Sequence, residues 1–201
     1  SHGPTLTGFN RDELIVMADV SAKEGQLGKR ESGILKNLLR LRKTHVKDVM
    51  TPRTVVFSLP EDLRVEEFFW KYEAIRYSRI PIYRDDPEHL DGFVLRSDLL
   101  LAQARGNTDT PLATYRRDLQ AVPETSTLLQ AFEVFLRDHL HMMVVVNEYG
   151  ETEGIVTLED VIETLLGLEI VDESDKTEDL QALARRLWRK RARKMGIDTD
   201  E

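Results

Sequence analysis

The chain has 201 residues, 41% of them hydrophobic and none of them cysteine, with a formal net charge of −8. That apolar share supports one two-lobed domain or two small ones with real cores and excludes a disordered chain. The missing cysteines exclude disulfide scaffolds, thiolate nucleophiles and zinc knuckles and fit a reducing compartment, while the acidic balance argues against nucleic acid as a partner.

No run approaches the roughly 18 apolar residues that cross a bilayer, and the N-terminus lacks the charged, apolar and small-residue order of a signal peptide, so the sequence reads as soluble in itself. Asn10 with Glu13 three residues later makes a variant capping box that opens a short helix with Leu14, Met17 and Ala18 on one face. Gly25 and Gly28 break that pattern, and Ile34, Leu35, Leu38 and Leu39 carry a second amphipathic helix to about Leu41. Residues 1–44 are therefore a helical lead-in.

From His45 the chain repeats itself. Pro60 corresponds to Pro123, Phe69 to Phe132, Tyr72 to Phe135 and Ile80 to Met143 at a spacing of 63, and after one deletion Gly92 matches Gly154 and Asp98 matches Asp160 at a spacing of 62. Each copy runs through a short apolar strand (Val55-Val56-Phe57; Leu119-Gln120-Ala121-Val122), a proline turn and an amphipathic helix. A β-rich strand follows (Arg79 to Tyr83; Met142 to Val146), then a turn, a second strand (Gly92 to Val94; Gly154 to Val156) and a second helix. The expected class is α+β, two β-α-β-β-α units at 45–110 and 111–170.

A unit of about 60 residues is marginal alone, so the copies should pack together about a pseudo-twofold axis. The expectation is that their sheets meet through Ile80, Ile82, Val94, Val144, Val146 and Ile155, leaving two related clefts for small ligands. Residues 171–201 read as an acidic linker and a basic helix carrying Arg185, Arg186, Arg189, Lys190, Arg191, Arg193 and Lys194. That helix suits a membrane surface or an acidic partner, or is a solvated charged face.

The order Val49-Met50-Thr51-Pro52-Arg53, then Tyr77 to Tyr83, then His141-Met142 before a valine run, then Gly154-Ile-Val-Thr-Leu-Glu-Asp160 resembles a tandem pair of cystathionine-β-synthase-type (CBS) domains. The segment Gly167-Leu-Glu-Ile-Val-Asp-Glu-Ser-Asp175 is similar to the CorC/CNNM branch, including hemolysin-like bacterial proteins. The resemblance covers roughly residues 10 to 195. It implies a magnesium transporter's regulatory portion at the cytoplasmic face of the cell membrane, with a membrane domain upstream and a homodimer formed through the CBS pairs. The cofactors it implies are ATP, or AMP or ADP, with Mg2+ accompanying the nucleotide.

By that resemblance the nucleotide residues are Thr51, Val56, Tyr77, Ser78, Arg79, Ile80, Pro81, His141, Thr157 and Asp160. Read bottom-up, Thr157 and Asp160 are also a near-variant capping box, worth about 1 kcal/mol to their helix. Within the resemblance they become a ribose and phosphate grip at a positive helix end. Tyr77 either stacks on a base or covers core. Arg79, with Arg76, is a phosphate partner or pairs with surface acids, and His141 is a ligand or a satisfied edge residue. The first repeat has Leu95 where the second has Thr157, so its cleft is expected to be weak or empty. Asn147 stands where family members often carry Asp, but in a turn outside the proposed pocket.

The acids Glu148, Glu151, Glu153, Asp172, Glu173 and Asp175 are read as a solvated rim rather than a direct cation site. Four negative charges on ATP call for a counterion, and Mg2+ suits phosphate oxygens and water. No nucleophile elbow, metalloprotease motif or dinucleotide fingerprint occurs, and Gly25 to Arg30 only imitates a P-loop, so no enzyme is expected. Two other functions remain compatible with the fold: a ligand-free dimerisation module, and an adenylate-sensing subunit of a soluble partner.

Overall fold

The capping box expected at Asn10 opens the described structure, residues 10–167 of a computed structural model. Asn10 Oδ1 accepts from the Glu13 N–H at 2.9 Å, and Glu13 Oε2 accepts from the Asn10 N–H at 2.8 Å. Helix α1 (Arg11–Lys23) turns at Gly25, whose φ of +74° suits glycine, into α2 (Lys29–Arg40). The hairpin is fastened by Ser32 Oγ donating to the Ala18 carbonyl at 3.1 Å and by Lys36 against Asp19 at 2.7 Å.

The first repeat contributes α3 (Val46–Val49), β1 (Thr51–Pro52), β2 (Leu59–Pro60), α4 (Val65–Lys71), β3 (Arg79–Tyr83), β4 (Gly92–Leu95) and α5 (Arg96–Ala104). The second contributes β5 (Arg117–Asp118), β6 (Ala121–Pro123), α6 (Leu128–Arg137), β7 (Met142–Val146), β8 (Thr152–Thr157) and α7 (Leu158–Leu166). Their strands form two four-stranded sheets, ordered β2-β3-β4-β5 and β1-β8-β7-β6. One strand of each sheet comes from the lead of the other repeat: β1 crosses to pair with β8, and β5 pairs with β4. The exchange extends to packing. Val46 and Met50 lie in the core of the second repeat, and Leu112 lies in that of the first.

Glycine permits the first crossing. A Cβ on Gly154 would strike the Thr51 carbonyl oxygen and push the crossing segment off the sheet, whereas one on Gly92 would meet only the Arg116 side chain, whose guanidinium carbon lies 2.9 Å away and can move.

Two expectations are corrected. Val55-Val56-Phe57 is not a strand: Arg53–Val55 form a 3-10 turn, and the strand follows at Leu59. Ile80, Ile82 and Val94 do not lie between the sheets. They are fully buried against the helices of their own repeat, as Met143, Val145 and Val156 are in the second. The inter-sheet seam consists of Leu90, Leu119, Val144 and Ile155, with Val56, Tyr83, Phe93, Met142 and Val146 packed around them. The reason is that β3 and β7 are covered on both faces, so hydrophobicity no longer marks which face looks where.

The acids Asp172, Glu173 and Asp175, the 168–175 part of the Gly167 motif and the basic segment 171–201 lie outside the described residues. Among the described residues no helix is long and apolar enough to cross a membrane.

Candidate binding site between the two sheets

Where β1 crosses onto β8, a cleft of about 370 Å³ opens, within the range of small-molecule pockets. Its walls come from both repeats. The first supplies Thr51, Val56, Phe57 and the stretch Arg76 to Arg79 with Pro81; the second supplies His141, Met142, Ile155, Thr157, Leu158, Glu159 and Ile162. Eight of the ten residues expected from the sequence therefore meet here: Thr51, Val56, Tyr77, Ser78, Arg79, Pro81, His141 and Thr157.

Ile80 and Asp160 do not line the cleft. Ile80 has its side chain in the core of the first repeat and its backbone in the β3–β4 ladder opposite Val94, because alternation along the strand sends Arg79 and Pro81 outward and Ile80 inward. Asp160 is buried in the first turn of α7, and its Oδ2 accepts from the Thr157 N–H at 2.8 Å while Thr157 Oγ1 accepts from the Asp160 N–H at 3.2 Å. The capping box is thus present, and it fixes Thr157 at the cleft wall with its helix N-terminus behind it. The Leu158 N–H adds a bond to the His141 carbonyl at 3.0 Å, which ties the helix start to the head of β7.

Tyr77 packs against the first-repeat core and stacks on Phe57, with ring centroids 6.0 Å apart at 30°, while Phe57 meets Tyr72 edge-on at 5.5 Å. This aromatic group makes one wall stiff and apolar. Ser78 is held by its own carbonyl, which accepts from the Arg96 N–H at 2.9 Å.

Arg76 donates to the backbone carbonyls of Glu73 and Ile75. Among the described residues no carboxylate pairs with Arg76 or Arg79, so the alternative in which they serve surface acids is not what the structure shows. Two guanidinium groups and a helix N-terminus give the cleft an anion-attracting character. Among the described residues Glu159 is the one carboxylate in the lining.

The sequence did not single out Phe57, Met142, Ile155, Leu158, Glu159 or Ile162. Met142 and Ile155 were legible as strand residues, Phe57 as the end of the apolar Val55-Val56-Phe57 run, and Leu158 and Glu159 sit inside the Thr157-Leu-Glu-Asp160 motif. Ile162 carried no local signal.

Away from the cleft, Asn147 builds the β7–β8 turn by accepting from the N–H groups of Tyr149 and Glu151 at 2.9 and 3.0 Å. Its amide donates to the carboxylates of Glu151 and Glu153 at 2.7 and 3.1 Å. An Asp at 147 would make the acceptor half of this turn but would repel the two glutamates. No group of three or more His, Asp or Glu side chains among the described residues is placed to hold a metal ion.

The CBS domain family matches residues 46–105 and 113–167. A UPF0053 protein of Synechocystis is 34% identical over 92% of this chain and 54% of its own, and the magnesium and cobalt efflux protein CorC of Escherichia coli is 28% identical over 91% and 63%. The chain thus spans between half and two thirds of these relatives. Among solved structures, the CBS domain of a bacterial CNNM/CorC family Mg2+ transporter in complex with ATP is 33% identical. It superposes with a TM-score of 0.64 over 68% of this chain and 97% of that one.

Proposed function

The chain belongs to the CBS-domain family, as a tandem pair of the CorC/CNNM branch, and from that premise we propose that it is a regulatory module that binds an adenine nucleotide between its repeats. The nucleotide is ATP with Mg2+, and its binding controls a magnesium or other cation transport domain joined upstream, at the cytoplasmic face of the cell membrane. It is a binding module and not a catalyst.

The observation that carries this reading is the make-up of the cleft. Val56, Phe57, Tyr77, Pro81 and Ile155 give a slot for a planar base, and Arg76 and Arg79, which pair with no carboxylate among the described residues, bring cationic groups to the same space as the α7 N-terminus. In this arrangement the base lies against Val56 and Pro81, the phosphates meet Arg79, Arg76 and His141, and the ribose edge meets the Thr157–Asp160 cap. Capping holds the Asp160 carboxylate at the start of α7, beside Thr157 of the cleft wall, and this reading gives that cap the ribose hydroxyls. The bound ATP of the similar CNNM/CorC domain supports the choice of ligand.

Glu159 would repel phosphate, so a cation between the two is required. Mg2+ riding on phosphate oxygens and water fits that need better than a protein cage. Apolar residues stand open to solvent on each repeat helix, among them Trp70 of α4, Leu101 of α5, Leu136 of α6 and Ile162 of α7. Exposed apolar surface of this kind favours association, and we take a homodimer through the helix faces as the working assembly.

Thermal unfolding tests the reading. ATP at about 100 times its dissociation constant should stabilise the fold by about 2.7 kcal/mol, and GTP should do much less. No shift with ATP in a protein that still dimerises would point instead to a structural dimerisation module. A shift in the absence of any transport domain in the parent protein would point to a soluble adenylate sensor.

A further inference from the structure

Helix α7 has its two ends in different surroundings. Its start walls the cleft through Thr157, Leu158 and Glu159, with Ile162 one turn further on. Its other end meets the N-terminal hairpin: α2 packs on α7, and Asn37 Nδ2 donates to the Leu165 carbonyl at 3.1 Å. Carbonyls of a last helical turn have no partner within their own helix, so Asn37 supplies a donor that α7 lacks. Asparagine is mostly a surface residue, yet Asn37 is buried, and one turn further along Leu41 is buried in the core of the second repeat.

The nine residues of α7 span roughly 13.5 Å, and their hydrogen-bond ladder makes the helix a rigid link between cleft and hairpin. The hairpin is a unit in its own right. Ser32 Oγ donates to the Ala18 carbonyl and Lys36 pairs with Asp19, so α1 and α2 are fastened to each other independently of α7.

We propose that Asn37 couples the cleft to the hairpin: nucleotide held at the start of α7 fixes the helix, and Asn37 passes that constraint from its far end to α1 and α2. A ligand that orders α7 lowers the entropy cost of docking the hairpin on it, so occupancy of the cleft tightens the hairpin. Asn37 lies outside the cleft lining and acts by positioning, without touching the nucleotide. The hairpin precedes the first repeat, on the side where the proposed function joins a transport domain. The inference rests on that reading for its ligand.

Amide hydrogen exchange of the full 201-residue chain, with and without ATP and Mg2+, is the test. ATP should slow exchange in α1 and α2 by about fivefold or more, the lower end of an allosteric coupling. Asn37→Ala and the similarly sized Asn37→Leu should each cut that factor to below about twofold, while ATP still protects β7 and the start of α7. Ser32→Ala removes a bond inside the hairpin and should speed its exchange in both states without changing the factor. A purely structural Asn37 would behave in the same way as Ser32. Unchanged exchange of α1 and α2 in the unsubstituted chain, with protection at the cleft, overturns the proposal before any variant is made, and so does a factor that survives both substitutions of Asn37. Absence of protection even at β7 and α7 contradicts the proposed function itself, and this inference falls with it.

Discussion

The carbonyl oxygen of Thr51 occupies the space that any side chain at Gly154 would fill. Strand β1 can cross from one repeat onto the sheet of the other only because residue 154 has no Cβ, and the cleft exists where that crossing ends. Gly154→Ala should therefore displace β1, cost about 1–3 kcal/mol as overpacking does, and weaken nucleotide binding along with stability. Chemical denaturation with parallel ATP titration checks both effects. Gly33→Ala is the control: a Cβ there meets nothing within 4 Å, so it should stabilise by about 0.5–1 kcal/mol and leave binding alone.

Thr157 and Asp160 carry two duties that substitution can separate. Asp160→Ala should remove nucleotide binding and also cost about 1 kcal/mol of stability, because the Thr157 N–H loses its acceptor. Asp160→Asn keeps an oxygen acceptor for the cap and should recover most of that stability, but not the charge-assisted grip on ribose. Asp98→Ala should change ATP affinity little. Equal losses from Asp98→Ala and Asp160→Ala in calorimetric titrations would mean that the wrong cleft has been chosen.

Arg79 distinguishes phosphate from base. Its loss should weaken ATP binding about tenfold or more, the effect of one charged hydrogen bond, while adenosine binding stays within twofold of the parent. Comparable losses for ATP and adenosine would place Arg79 in wall packing instead.

Much of this was legible because local chemistry and tertiary role agree. The capping boxes at Asn10 and Thr157 were readable from spacing alone, and strands β3 (Arg79–Tyr83) and β7 (Met142–Val146) have the bounds read from the sequence. The repeat announced a cleft between the copies, and the structure shows one where Thr51 and Thr157 meet. What was not legible depends on distance in the sequence. Val56 and Phe57 have strand-like side chains, yet the cleft uses them as its wall after a 3-10 turn. The two-residue strands β1 and β5 owe their pairing to the other repeat, which no local pattern records. Ile80 looked like a contact residue because its strand is apolar on both faces, and only the register with Val94 shows which face it takes.

The acid response should begin at Asp91. The hydrogen bond from the Arg116 guanidinium at 2.9 Å holds its carboxyl below the ordinary aspartate value, with the arginine's charge adding to the effect against partial burial. A folded-state value below the unfolded one stabilises at pH above the unfolded value, and that contribution is lost as pH falls through the folded one. Stability should accordingly decline below about pH 4, and Asp91→Asn should flatten that decline while lowering stability at neutral pH. Urea denaturation between pH 7 and pH 2.5 measures both. An unchanged acid limb in the variant would remove Asp91 from the account.

Isothermal titration of the chain with ATP in the presence of Mg2+ addresses the main claim most directly. One nucleotide per chain is expected, with binding lost on Asp160→Ala. Absence of binding heat together with an unchanged melting temperature at millimolar ATP, or undiminished affinity in the Asp160→Ala variant, would contradict it.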